Sequence, residues 1–121
     1  MLRGIVPILR IFDEEQARSF YVEYLGFKVD WEHRFEEDLP LYMQVSLDGI
    51  VLHLSGHYGD CTPGAAVRIE TTDLDGLCES LNRQEHKHSR PGITDTPWGL
   101  REMKVIDPSG NRIVFYQEDN E

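Results

Sequence analysis

Apolar and polar positions alternate, then break into a helical period, then alternate again, and the whole cycle occurs twice. Residues 5–11, IVPILRI, read as a strand rich in β-branched side chains. Pro7 cannot donate to a ladder, which places this strand at a sheet edge or a bulge. Asp13 has the side chain of an N-cap, with Gln16 three residues on. Ala17, Phe20, Tyr21 and Tyr24 then follow at i, i+3, i+4 and i+7, the spacing of a one-sided helix that Gly26 ends. Residues 27–35 and 41–47 read as strands on either side of an acidic loop, EEDLP. Asp48-Gly49 is a two-residue hairpin signal leading into IVLHLS, residues 50–55.

After a glycine-rich connector the pattern returns. AAVRIET is a strand, and Asp73 caps a helix with Leu74, Leu77, Cys78 and Leu81 on one face. A weak strand is expected near 86–90, then REMKVI, a turn at Asp107-Pro108-Ser109-Gly110 and a last strand at NRIVFYQ. Asp13 maps onto Asp73 and Gly49 onto Gly110, an offset of 60 or 61 residues. The expected fold is α+β: two βαβββ modules in tandem, 1–56 and 65–121, joined by a linker at 57–64. Their curved mixed sheets are expected to surround an open groove.

Composition narrows the choice of partner. A chain of 121 residues with 40% apolar content suits one domain with a modest core. No apolar run approaches a membrane span, and the first dozen residues read as a strand and not as a signal peptide. The formal net charge of −10 argues against nucleic acid and anionic membrane, which need a positive footprint. It suits solubility, or a field that draws in a cation. Two cysteines, Cys61 and Cys78, fit a reduced, cytoplasmic protein.

The residues that stand out chemically are aromatic. Trp98 lies between Pro97 and Gly99, where neither helix nor strand would hold it. It either folds back onto the core or stands as a flat paddle for a planar ligand. Trp31, Phe35 and Tyr42 lie in and after the second strand, and with Trp98 they suggest an aromatic-lined cleft. For each alone, core packing is the plainer role. Asp60 and Glu102 are the acidic residues expected to meet a cation beside that cleft. No nucleophile motif appears.

Several runs resemble the vicinal oxygen chelate superfamily, which includes glyoxalases, ring-cleaving dioxygenases and the fosfomycin and bleomycin resistance proteins. IVPIL, FYVEYLGF, IVLHLS and PWGLRE followed by IDPSGNRIVF are most similar to the bleomycin resistance proteins. Leu100 stands between Gly99 and Arg101 where those proteins run directly from glycine to arginine, and residues 31–41 form a longer stretch than theirs. In the superfamily's metal enzymes four inward positions, two per module, carry His, Gln or Glu. The resemblance puts them here at Val6, His53, Val67 and Val114, with Ala66 as the alternative to Val67. Valine has no donor atom, so no metal and no other cofactor is expected. His53 is expected to be a hydrogen-bonded residue lining the groove. The resemblance implies a homodimer with grooves at the subunit interface that sequesters a small planar ligand, preferably cationic, such as a bleomycin-type glycopeptide antibiotic. The alternative is a glyoxalase- or dioxygenase-like enzyme on the same fold, acting through a misplaced ligand set or a groove carboxylate.

Overall fold

A computed structural model of the chain describes residues 1–84 and 90–118. It contains two four-stranded mixed sheets built on one plan. In the first, β1 (Ile8–Arg10), β2 (Lys28–His33), β3 (Tyr42–Leu47) and β4 (Ile50–Ser55) lie in the order β1-β4-β3-β2. In the second, β5 (Ala66–Glu70), β6 (Ile93–Asp95), β7 (Leu100–Ile106) and β8 (Arg112–Glu118) lie in the order β5-β8-β7-β6. The first strand of each module runs parallel to the last, and the other pairings are antiparallel. The fold is therefore two tandem βαβββ modules, each with its crossover helix after the first strand.

The caps form where the sequence places them. Asp13 Oδ1 accepts from the Gln16 amide at 3.0 Å and starts α1 (Glu14–Arg18). Asp73 Oδ1 accepts from the Gly76 amide at 3.0 Å and starts α2 (Leu74–Arg83). One difference is that α1 does not continue as α-helix. Ser19–Tyr24 widens into a π-helix, with the Leu25 amide reaching back to the Phe20 carbonyl. The wider turn still buries Phe20, Tyr21 and Tyr24, whose rings meet at 5.1 and 5.5 Å. Gly26 closes the helix at φ +90°, a conformation that costs glycine little. Asp48 and Gly49, at φ 52° and 83°, make the type I′ hairpin between β3 and β4.

By compactness the described chain divides into two units. One comprises Met1–Ala65 with Pro108–Asn111, and the other takes the remainder. In the first unit Leu9, Met43, Val45, Leu52 and Leu54 are buried along one face of the sheet. Asn111 is fully buried there; its Oδ1 accepts from the Ala65 amide at 3.1 Å and its Nδ2 donates to the Arg10 carbonyl at 2.7 Å. In the second unit Met103, Val105, Ile113 and Phe115 share the helix-facing side with Leu74 and Leu81 of α2. Arg101 on that side holds Asp75 of α2 at 2.8 Å.

One expectation lies outside the described residues and one is corrected. The strand expected near 86–90 falls largely on 85–89, which lie outside the described residues, as do His86 and His88. The strand that pairs with β7 is Ile93–Asp95. Val67 does not share a face with Val114. Parallel pairing sets Val67 beside Ile113 and Arg68 beside Val114, so Val67 points to the helix side. Strand parity puts Ala66 and Arg68 on the Val114 side. Among the described residues no helix is long and apolar enough to cross a membrane.

Candidate ligand-binding site

The exposed face of the first sheet is built by β2, β3 and β4. On β3, Met43 and Val45 face the core, so Tyr42, Gln44 and Ser46 face the other way. On β4 the same alternation turns Val51, His53 and Ser55 to that open face. β2 should follow suit, but strict alternation from Val29, which pairs with buried Val45, would turn Trp31 into the core. A bulge at Asp30 prevents this. Val29 opposes Val45, yet Trp31 opposes Gln44, so one extra residue shifts the phase. Trp31 and His33 therefore join the open face, and Glu32 takes the core side, where it forms a two-pronged pair with Arg18 of α1 at 2.8 and 3.1 Å.

The result is a compact ring group. Trp31 lies parallel to Tyr42, with centroids 6.0 Å apart and planes 10° apart. His53 stands edge-on to both, at 5.4 Å from Trp31 and 5.2 Å from Tyr42. Trp31 stays 42% exposed. Phe35, 72% exposed, extends the aromatic surface through edge contacts with His33 at 4.6 Å and His57 at 5.9 Å.

A polar chain runs beneath the rings. The Tyr42 hydroxyl meets His53 Nδ1 at 2.7 Å, and His53 Nε2 meets Gln44 Oε1 at 2.9 Å. Gln44 Nε2 donates to Asp30 at 3.0 Å, and the Ser46 hydroxyl donates to the other Asp30 oxygen at 3.0 Å. The Gln44 and Ser46 bonds hold the Asp30 carboxyl below its ordinary range. Burial, and then the charge of Asp60, pushes the Tyr42 phenol up. Both therefore keep their usual neutral-pH states: an ionised Asp30 and a protonated Tyr42.

The expected site residues divide accordingly. Trp31, Tyr42 and His53 come together, with Phe35 beside them. Asp60 belongs to the same unit, and its carboxylate accepts from the Ser55 hydroxyl at 2.6 Å. Cys61, half-buried next to it, has its thiol pushed up by burial. Trp98 and Glu102 belong to the second unit. Trp98 occupies the third position of the β6–β7 turn, where the Gly99 amide returns to the Thr96 carbonyl and Gly99 takes φ +88°. It is 70% exposed and does not fold back on its core. Glu102 is already paired, to Arg68 at 2.8 Å, and that guanidinium covers the Tyr116 ring at 4.7 Å. An open recess of about 510 Å³ lined by Asp75, Cys78, Glu79, Asn82, Arg83 and Ile93 contains none of the expected residues. Gln44 escaped the sequence reading, although its alternation with Tyr42 and Ser46 was visible. Arg68 was missed with no comparable signal.

The donor set does not suit a metal. Val6, Ala66 and Val114 bring no lone pair, and both His53 nitrogens are engaged by protein groups. Among the described residues no three His, Cys, Asp or Glu side chains gather into a possible metal site.

Two modules of parallel-edged mixed sheet with an aromatic, hydrogen-bonded open face define a protein of the glyoxalase fold. The family follows from the sequence match: a model described as glyoxalase superfamily protein covers residues 1–121, and the chain belongs to that superfamily. It is similar to the bleomycin resistance protein of Geobacillus stearothermophilus, 28% identical over 130 residues, spanning 98% of each chain. Among solved structures, a glyoxalase/bleomycin resistance protein from Streptomyces sp. CB03234 matches with a TM-score of 0.70 and 26% identity, over 93% of this chain and 97% of that one. TnmS3, an antibiotic binding protein from the same strain, matches with a TM-score of 0.68 and 25% identity, over 98% of each.

Proposed function

We propose that the chain is a metal-free binding protein that sequesters a small planar cation, of which a bleomycin-type glycopeptide antibiotic is the leading example. The observation that carries this reading is the bulge at Asp30, which turns Trp31 away from the core and sets it parallel to Tyr42 while leaving it 42% exposed. A planar heterocycle stacked on such a ring gains about 1–3 kcal/mol. The net charge of −10 attracts a positive ligand and repels anionic competitors. Phe35 and Asp60 add aromatic area and negative charge in the same unit; in the other unit Trp98 offers an exposed ring of its own, and Glu102 is paired to Arg68. The names of the relatives, bleomycin resistance protein and antibiotic binding protein, point the same way. Sequestration requires no chemistry, so the absence of a donor set at the superfamily's metal positions is consistent with it. The protein is expected to work as a cytoplasmic homodimer.

The test is titration of tryptophan fluorescence with metal-free bleomycin at low and high salt. Quenching at micromolar drug, weakened by salt and reduced in Trp31→Ala and Trp98→Ala, is expected. A flat titration contradicts the antibiotic assignment. One observation favours a second reading, an enzyme of the same superfamily: the Tyr42 hydroxyl, 2.7 Å from His53 Nδ1, forms an acid–base pair that a bound substrate would meet on this face. Turnover of a candidate substrate that is lost in Tyr42→Phe would favour it.

A further inference from the structure

The hydrogen-bond chain under the rings has a direction, and the direction is set at its far end. An ionised carboxylate can only accept. Asp30 takes the Gln44 amide nitrogen at 3.0 Å and the Ser46 hydroxyl at 3.0 Å, with Lys28 Nζ 3.7 Å away. Gln44 must therefore turn its carbonyl oxygen toward His53. That oxygen accepts only, so His53 Nε2, 2.9 Å away, must carry the ring proton. In a neutral imidazole Nδ1 is then an acceptor, and the Tyr42 hydroxyl 2.7 Å away must donate its proton inward. Once that proton is committed, the phenol oxygen has only lone pairs left for anything that approaches from outside.

We infer that Asp30 is a remote specificity residue: through Gln44 and His53 it fixes Tyr42 as a hydrogen-bond acceptor, so the aromatic face selects planar ligands bearing an N–H donor at the ring edge. This rests on the reading of that face as the ligand site. The lowered Asp30 and raised Tyr42 titrations agree with the charge states it needs. Asp30 is also the extra residue of the bulge that re-aims Trp31, so one residue governs both the stacking ring and the polarity beside it. Asp30 is a positioning residue and need not touch the ligand.

Two measurements test the inference. The first requires no ligand: two-bond ¹H–¹⁵N spectra of the imidazoles at neutral pH, with His53 assigned by comparison with His53→Gln. Wild type should show a protonated Nε2 and a bare Nδ1. Asp30→Asn keeps an acceptor for Gln44 and should preserve that tautomer. Asp30→Ala and Gln44→Leu should give a mixture. A merely structural aspartate would leave the tautomer unchanged in Asp30→Ala as well as in Asp30→Asn. The second measurement compares two planar cations of similar size, 9-aminoacridine, which has N–H donors, and N-methylacridinium, which has none. Wild type should prefer the first by about tenfold, the cost of an unmatched polar edge. In Asp30→Ala and Gln44→Leu the preference should fall below about threefold. A protonated Nδ1 in wild type, or a dye preference untouched by either variant, overturns the inference. If neither dye binds, the planar-cation reading of the face fails, and the imidazole spectra alone decide the polarity.

Discussion

Replacing Trp31 by alanine separates a ring exposed on a binding face from one built into the core. With the Asp30 bulge, Trp31 is 42% exposed and its named ring partners are Tyr42 and His53. An aromatic pair of this kind contributes about 0.5–1.5 kcal/mol beyond area burial. Losing the covered part of the ring adds about 1–1.5 kcal/mol, so the stability loss should total about 1.5–3 kcal/mol. Without the bulge the ring would sit on the side of Met43 and Val45, and its removal would cost about 3–5 kcal/mol. Unfolding entropy of about 2.1 cal/mol/K per residue makes 1 kcal/mol worth about 4 °C in a chain of this size. Differential scanning calorimetry should then show Tm falling by about 6–12 °C, against about 12–20 °C for a core tryptophan. A drop in the larger range would refute the register that turns Trp31 outward, and with it the aromatic face.

Three further outcomes are expected. At Gly76 an alanine Cβ would overlap the Asp73 carboxylate that caps α2. Gly76→Ala should therefore forfeit the roughly 1 kcal/mol that alanine ordinarily gains over glycine in a helix, and should recover it in an Asp73→Ala background. A double-mutant cycle by urea unfolding that shows no coupling would contradict this. Asn111→Leu leaves the Ala65 amide and the Arg10 carbonyl without their buried partner, and should cost about 2–4 kcal/mol by the same assay. Asp30, Glu32 and Asp75 all titrate below their ordinary range because of Gln44, Arg18 and Arg101 respectively. Their folded values lie below the unfolded ones, so their contribution is complete above about pH 5 and is lost as pH falls through the unfolded and then the folded values. As far as these three carboxylates govern it, the urea midpoint should be steady between pH 7 and pH 5 and fall at pH 3.

The parts of the fold set by local chemistry could be read from the chain. Asp13 and Asp73 cap where their side chains predict, Asp48-Gly49 turns the hairpin, and the repeat of Asp13 onto Asp73 gives the tandem modules. Features set by register could not be read. The bulge at Asp30 leaves no mark in KVDWEH, because an extra residue is defined only by the partner strand it fails to match. Val67 was assigned to the wrong face for a related reason: two residues of similar size stand side by side in AAVRIE, and only pairing with β8 decides which points inward. Ile93–Asp95 is short and half polar, and becomes a strand through its pairing with β7. In the candidate site the rings were visible as residue types. The chain from Asp30 to Tyr42 was not, since it joins three strands across the sheet.

The most direct test of the central claim, that the open face of the first sheet takes a planar cation, is a ¹H–¹⁵N titration with 9-aminoacridine that follows both indole N–H signals and the backbone amides. The account predicts saturable shifts at the Trp31 indole and along β2, β3 and β4, accompanied by the His53 ring. Shifts confined to other elements, or none at millimolar dye, would contradict it.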